Sequence, residues 1–332
     1  MKRYQSLFGV LVFLLASTNQ AHGQALDITQ SITQIADTSA QPDFSKIQKL
    51  AVKLKSIFSK SLSEKDPQVL KVITQKSNRV YRGMSTANYD QLHWKQKLYL
   101  LIACENTRGD TQNFSKAITP FTQDKNQAIR YMAMKNIAKF ASHVKLSPND
   151  QKFLDKIIQK RAKKESVMMI NRWILNAAIQ IGSPASRIVA LQLFDKKLNA
   201  FTKNPRINIK PQIIEILKLS TKISQNASFN KPTQKFLKLY LKTITKYIKV
   251  CSNASREKDF FKRSEITYYK NSSYKIAQWI KAFVPMFDKN APVFKLPSSN
   301  RVNHIESFLI DHCRFSQDDF EVGEIMIPRT KR

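Results

Sequence analysis

The sequence predicts an all-helical protein, and three of its features indicate this fold class. Glycine is scarce, since only Gly83, Gly109 and Gly182 occur between Leu26 and Val322. The hairpin-forming dipeptides Asn-Gly and Asp-Gly are absent, which argues against a β-rich fold. Apolar residues recur along most of the chain at the three- and four-residue spacing of one helix face. Together these features favour helices joined by short connections.

Prolines mark the beginnings of three of these helices. Pro67, Pro148 and Pro184 each follow an Asp or Ser whose side-chain oxygen can cap a helix N-terminus. Proline is tolerated at the first helical position because its missing N–H would have no helical partner there. The predicted helices span residues 43–62, 66–77, 88–106, 124–143, 147–163, 166–181, 184–202, 210–225, 232–252, 273–288 and 301–313. The segment 253–272 has a weaker helical pattern, and 289–300 is predicted as a loop.

The N-terminus has the pattern of an export signal. Lys2 and Arg3 precede the apolar run "SLFGVLVFLLAS", and Ala21 and Gly23 supply small residues before a cleavage site. The run is shorter than the ~20 residues that span a bilayer. We therefore predict a signal peptide at 1–23 and an exported, periplasmic or secreted protein. The remaining predicted parts are a linker or short helix (24–42), a helical repeat domain (43–315) and an acidic, then basic, tail (316–332).

The composition predicts a binding protein and no enzyme. The formal net charge is +32, and the chain contains five histidines and three cysteines. The sequence lacks the clustered glycines of phosphate-binding loops and dinucleotide-binding motifs and the Gly-x-Ser-x-Gly motif of serine hydrolases. We therefore predict no catalytic residues and no cofactor. The segment "NHIESFLIDHCRF" concentrates possible metal ligands, but its spacing matches no metal motif, and no metal site is predicted.

The predicted helix starts at 124, 166 and 210 are separated by 42 and 44 residues, a period typical of helical repeats. The segment "DKNQAIRYMAMKNIAKFA" (124–141) resembles a HEAT repeat helix, in which an Asp before the helix and an Arg six residues later recur. Here these residues are Asp124 and Arg130. The resemblance covers mainly 120–250 and implies an α-solenoid of antiparallel helix pairs, with an Asp124–Arg130 ion pair. The alternative is an irregular helical bundle.

Lysines at helical spacing form the strongest candidate binding surface. Two predicted helices carry an apolar face and a cationic ridge, without interspersed acids on the ridge. The two ridges comprise Lys152, Lys156, Lys160 and Lys163, and Lys235, Lys238, Lys242, Lys246 and Lys249. In HEAT-like solenoids the second helices of the pairs line one surface, so the resemblance implies a shared binding face. The alternative is that these lysines only solvate the surface.

Two other segments have alternative interpretations. The tripeptide Arg108-Gly109-Asp110 resembles an integrin-recognised motif, but its glycine also suits the end of a helix. The acidic residues of "QDDFEVGE" could bind back to the basic body or remain solvated.

The sequence therefore predicts an exported helical-repeat protein that recognises an anionic partner: envelope lipid, an acidic polysaccharide or an acidic protein. The alternative is a nucleic-acid-binding protein or a HEAT-like DNA-acting enzyme, if the leader is not cleaved. Export disfavours nucleic acid as the partner. No transmembrane segment is predicted in the mature chain.

Overall fold

The computed structural model describes residues 27–39, 41–203, 213, 216, 231–255 and 263–322. These residues form α-helices and short 3-10 turns, with no β-strand among them, so the predicted all-α class is confirmed. The predicted signal peptide, most of the predicted helix 210–225 and the tail beyond residue 322 lie outside the described residues. Packing divides the chain into two compact units, Met1–Ile181 and Gly182–Arg332.

Eight helices build the described part of the first unit. They are α1 (Ile28–Ala36), α2 (Phe44–Lys60), α3 (Pro67–Thr86), α4 (Trp94–Ala103), α5 (Thr111–Thr122), α6 (Gln127–His143), α7 (Pro148–Lys164) and α8 (Met168–Ile181). Each helix from α1 to α6 packs against the helix two places further along the chain. The odd-numbered helices therefore form one series of neighbours and the even-numbered helices form another.

Two helices of the first unit differ most from their prediction. Helix α5 was not predicted, although Phe114, Ala117, Ile118 and Phe121 repeat at helical spacing and are all buried. Its last turn contains Pro120, which lacks the N–H of a regular helical hydrogen bond. Helix α3 continues nine residues past its predicted end and passes through Gly83. That glycine lets α1 come close, because a Cβ there would collide with the Ile32 side chain.

A buried carboxylate joins α2, α4 and α6. Glu105 follows α4, and its side chain is only 2% exposed. It forms ion pairs with Lys55 on α2 at 2.9 Å, with Lys135 on α6 at 3.1 Å and with Lys139 on α6. Burial would raise the pKa of Glu105, but hydrogen bonds from Lys139, Lys55 and Lys135 outweigh it and lower the pKa to about 2. The carboxylate therefore remains ionised and links three helices.

The described part of the second unit consists of four helices and one 3-10 turn. They are α9 (Pro184–Lys203), α10 (Lys231–Ser255), α11 (Arg263–Phe287), α12 (Arg301–Cys313) and the turn Gln317–Phe320. Helix α10 contacts the other three helices and the turn. Helix α11 begins ten residues before the predicted 273, so part of the weakly patterned segment 253–272 is helical. Phe320 on the turn is 1% exposed, which fixes the acidic end of the described chain against this unit.

Candidate anion-binding site

Helix α7 carries one of the two predicted lysine ridges. The Ser147 hydroxyl accepts from the Asp150 amide at 3.2 Å, and the Asp150 carboxylate accepts from the Ser147 amide at 3.0 Å. This capping box fixes the start of the helix, with Pro148 at its first position. Leu154 and Ile158 face the core and are fully buried. The lysines therefore lie on the opposite, outer face.

Five lysines of this face are exposed: Lys152, Lys156, Lys160, Lys163 and Lys164. None of them has a carboxylate within ion-pair distance in the part of the chain that the structure describes. Lys160 donates to the Gln123 side-chain oxygen at 2.9 Å, which leaves its charge uncompensated. Each ammonium group can donate three hydrogen bonds, so this surface presents many free donors. We call these five residues the α7 lysine face.

A groove of about 330 Å³ runs between α5 and α7 beside this face. Its cationic wall consists of Lys156, Lys160, Arg161 and Lys164, and no carboxylate lines it. Phe153 and Ile157 give it an apolar part. Arg161 has a counter-ion in Glu165, which does not line the groove, but the three lysines have none among the described residues. The groove is therefore chemically suited to an anionic group.

Helix α5 supplies the other wall of the groove through Ser115, Thr119 and Thr122. The Thr119 hydroxyl donates to the Ser115 carbonyl and the Thr122 hydroxyl donates to the Thr119 carbonyl, both at 2.7 Å. These two hydroxyl protons are therefore used within the helix, and only the oxygen lone pairs remain. The lysines of the opposite wall, by contrast, have ammonium donors available for a bound anion.

Glu165 fixes the end of α7. Its carboxylate, 1% exposed, pairs with Arg130 on α6 at 3.0 Å and with Arg161 on α7 at 2.7 Å. It also accepts from the backbone amide of Val167 at 3.1 Å. Burial would raise the pKa of Glu165, but the hydrogen bond from Arg130 and the other contacts outweigh it, and the pKa is lowered. The connection from α7 to α8 is thus held rigidly against α6.

The sequence predicted that Asp124 and Arg130 pair with each other, but each side chain has a different partner. Arg130 pairs with Glu165 and donates to the backbone carbonyl of Asp124 at 3.0 Å. The Asp124 carboxylate instead lies 3.1 Å from Lys97 and accepts from the Tyr89 hydroxyl at 2.5 Å. Arg130 and Asp124 therefore each link two elements of the unit. The acid that pairs with Arg130 and the cation that pairs with Asp124 are both far from them in the sequence.

The second predicted ridge, on α10, lies largely against acids of its own unit. Lys242 is 2.5 Å from Asp319, Lys246 is 3.6 Å from Asp195 and Lys249 is 3.2 Å from Glu306. Lys238 donates to the Arg314 carbonyl at 2.8 Å, and Lys235 is exposed. We predicted that Lys238, Lys242 and Lys246 face solvent. Lys242 and Lys246 are instead partly buried ion-pair partners, because α9 and the C-terminal turn bring acids to them.

The integrin-like tripeptide is part of the packed structure. Arg108 donates to the Leu62 carbonyl at 2.6 Å, and Gly109 is buried under the Tyr81 hydroxyl, which accepts from its amide at 3.1 Å. The Asp110 carboxylate accepts from the Asn113 amide and caps α5. The tripeptide therefore serves as a helix start and is not an exposed loop.

Two possible metal ligands of the segment "NHIESFLIDHCRF" form contacts with other side chains of the protein. His312 lies 2.7 Å from Asp288, and Glu306 pairs with Lys249. No group of three or more potential metal ligands occurs in the ranges that the structure describes. Cys104 and Cys313 are both buried free thiols, and burial raises the pKa of each to about 12.

Sequence reasoning found Lys156 and Lys160 of the groove but missed Lys164 and the other wall. The missing element was α5, and Asp110 before a regular apolar pattern was the signal that could have revealed it. Arg161 and Glu165 were also not singled out, because nothing in the local sequence shows that Arg130 lies beside them.

The fold and the groove define an all-helical protein with a cationic surface. No family model, no curated protein and no solved structure matches this chain. Among the described residues, no helix is both long and apolar enough to cross a bilayer.

Proposed function

We propose that this chain is an exported helical-repeat protein that binds an anionic partner through the α7 lysine face and its groove. One observation carries the proposal: the five exposed lysines of α7 lie beside a cationic groove, and none of them has a carboxylate partner among the described residues. A surface that only maintains solubility would intersperse both signs of charge. Like charges at neighbouring helix positions also repel each other, which a bound anion would relieve.

The packing of the first unit supports a repeat architecture. Each helix packs on the helix two places further along, as expected when helix pairs stack with their equivalents. We propose a HEAT-like solenoid for this unit, in which α7 packs on α5 and on α8. Export rests on the pattern of residues 1–23, and mass spectrometry of the mature N-terminus tests it. An intact Met1 on the mature protein would contradict export by cleavage.

The binding proposal is tested with heparin as a polyanion probe. The triple variant Lys156→Gln, Lys160→Gln and Lys164→Gln removes three charges from the groove. We expect a loss in affinity of about tenfold to hundredfold, since a lysine near an anionic surface contributes about 1 kcal/mol. With duplex DNA as a second probe, affinity is measured at several salt concentrations. The slope of log affinity against log salt concentration should become shallower by about 0.9 for each lost phosphate contact.

The control variant removes the same charge from another helix of the same unit. Lys46, Lys49 and Lys53 are exposed on α2 and have no ion-pair partner among the described residues. Their joint replacement by Gln should affect heparin binding by only about twofold, through the reduced net charge. Equal losses in both triple variants would contradict a site on α7 and indicate general charge attraction. A preference for duplex DNA over heparin in the parent would favour a nucleic-acid partner.

A further inference from the structure

Two neighbouring methionines at the start of α8 are exposed to solvent. Met168 is 52% exposed and Met169 is 56% exposed. The buried face of α8 begins one residue later with Ile170 and continues through Ile174 and Ala178. The methionines therefore do not belong to the core, and together they form an apolar projection on the surface. Methionine is flexible and polarisable, which suits it to irregular apolar surroundings.

The same end of the α7–α8 pair carries the last lysines of the α7 lysine face. Lys163 and Lys164 end α7, Lys160 lies one turn earlier, and Met168 begins α8 after a connection of three residues. Four residues of extended chain span at most about 14 Å, so the Cα atoms of Lys164 and Met168 lie within that distance of each other. We call Lys160, Lys163, Lys164, Met168 and Met169 the basic–apolar corner.

The basic–apolar corner is held in place by the contacts of Glu165. The carboxylate of Glu165 binds Arg130, Arg161 and the Val167 amide, as described above. The Glu165 backbone carbonyl accepts from the Asn171 side chain at 3.3 Å. Binding therefore orders little of this corner, because its backbone is already fixed in the free protein.

We infer that this corner docks on the surface of an anionic lipid bilayer. Lysines would contact headgroup phosphates, while the two methionines enter the boundary between headgroups and acyl chains. The inference rests on the proposed function and specifies its partner. A polysaccharide or a nucleic acid backbone would use the lysines, but neither offers an apolar phase for the methionines. An anionic bilayer offers both, so it matches the charge and the exposed apolar surface together.

The test compares vesicles with heparin. Vesicles of phosphatidylglycerol and phosphatidylcholine supply charge and an apolar phase, vesicles of phosphatidylcholine alone supply only the latter, and heparin supplies only charge. The parent protein should co-sediment with the anionic vesicles and not with the neutral ones. The double variant Met168→Gln and Met169→Gln should lose about tenfold in affinity for anionic vesicles, since apolar burial adds to charge attraction. Its heparin affinity should stay unchanged.

The matched control is the double variant Val52→Gln and Val72→Gln, two exposed apolar residues on α2 and α3. It should bind anionic vesicles as the parent does, and far-ultraviolet circular dichroism should show that both double variants remain folded. Full vesicle binding by the methionine variant would overturn the docking inference. Parent binding to heparin but not to anionic vesicles would overturn it too, while leaving the proposed function intact.

The lysines separate the two proposals. The variant Lys160→Gln, Lys163→Gln and Lys164→Gln should lose affinity for both heparin and anionic vesicles. If it retains both, the proposed function itself fails, because the α7 lysine face would not be the binding site. If the methionine and lysine variants each lose vesicle binding and only the lysine variant loses heparin binding, both proposals are supported.

Discussion

Replacing Glu105 by Gln should destabilise the first unit in a manner that depends on pH. The substitution keeps the shape of the side chain and removes the charge that Lys55, Lys135 and Lys139 share. Three ammonium groups would then lie around a neutral amide. The loss of stability follows from the lowered pKa of Glu105, because an acid whose pKa is lower in the folded chain than in the unfolded chain stabilises the fold while it is ionised.

The magnitude follows from the two pKa values. A fall from the ordinary 4.5 to about 2 corresponds to about 3 kcal/mol at 1.36 kcal/mol per pH unit. Removing one partner of a buried ion pair costs about 3–5 kcal/mol. The lysine side chains are 38%, 24% and 30% exposed, so water screens part of the attraction. We therefore expect a loss of about 2–3 kcal/mol at pH 7.

The assay is urea unfolding of the parent and the variant, followed by circular dichroism from pH 7 to pH 2. The stabilisation by Glu105 is complete above the pKa of the unfolded chain and is lost as the pH falls toward about 2. The difference between the two proteins should therefore be constant down to about pH 5 and shrink below it. A difference that persists unchanged at pH 2, or no difference at pH 7, would refute the reasoning.

The variant Asp90→Asn is the control for this experiment. Asp90 is an exposed carboxylate of the same unit and has no ion-pair partner in the described ranges. Its replacement should change the free energy of unfolding by less than about 0.5 kcal/mol.

The parts of the fold that the sequence predicted are those with local chemical signals. Helices α3, α7 and α9 begin at Pro67, Pro148 and Pro184, as expected from the preceding Asp or Ser. In α3, the Asp66 carboxylate accepts from the Gln68 amide at 2.8 Å. A cap and its helix lie within a few residues of each other, so a short stretch of sequence contains the whole interaction.

The ion pairs could not be predicted in this way. The partner of Arg130 lies 35 residues away, at Glu165, and the partner of Lys242 lies 77 residues away, at Asp319. The spacing of Asp124 and Arg130 made them neighbours in the sequence, yet packing supplied closer partners to each. A residue's charge is visible in the sequence, but its counter-ion depends on which helices become neighbours.

The two lysine ridges show that sequence alone could not identify which lysines are available to a partner. Both have the periodicity of an amphipathic helix, and the sequence offers no local difference between them. On α7 the lysines remain uncompensated among the described residues, whereas on α10 Lys242, Lys246 and Lys249 have carboxylate partners. The distinction comes from tertiary packing, which brings the 3-10 turn, α9 and α12 to α10.

Two further predictions concern a close helix contact and the α10 ridge. Gly83→Ala should lower the free energy of unfolding by about 1–2 kcal/mol, because crowding against Ile32 outweighs the gain in helix propensity. Urea unfolding of this variant, of Ile32→Ala and of the double variant should show that the two changes are coupled, and stabilisation by Gly83→Ala would contradict the contact. Asp319→Asn should free the Lys242 ammonium and raise heparin affinity by about two- to fivefold, the equivalent of up to about 1 kcal/mol for a half-exposed pair. Asp318→Asn makes the same charge change one residue away, at an exposed carboxylate without an ion-pair partner in the described chain. Any lost negative charge should raise heparin affinity slightly. If the ion pair with Asp319 neutralises Lys242, only Asp319→Asn should raise heparin affinity beyond this small effect. Equal rises in heparin affinity for the two variants would show that Lys242 is available to anions in the parent protein.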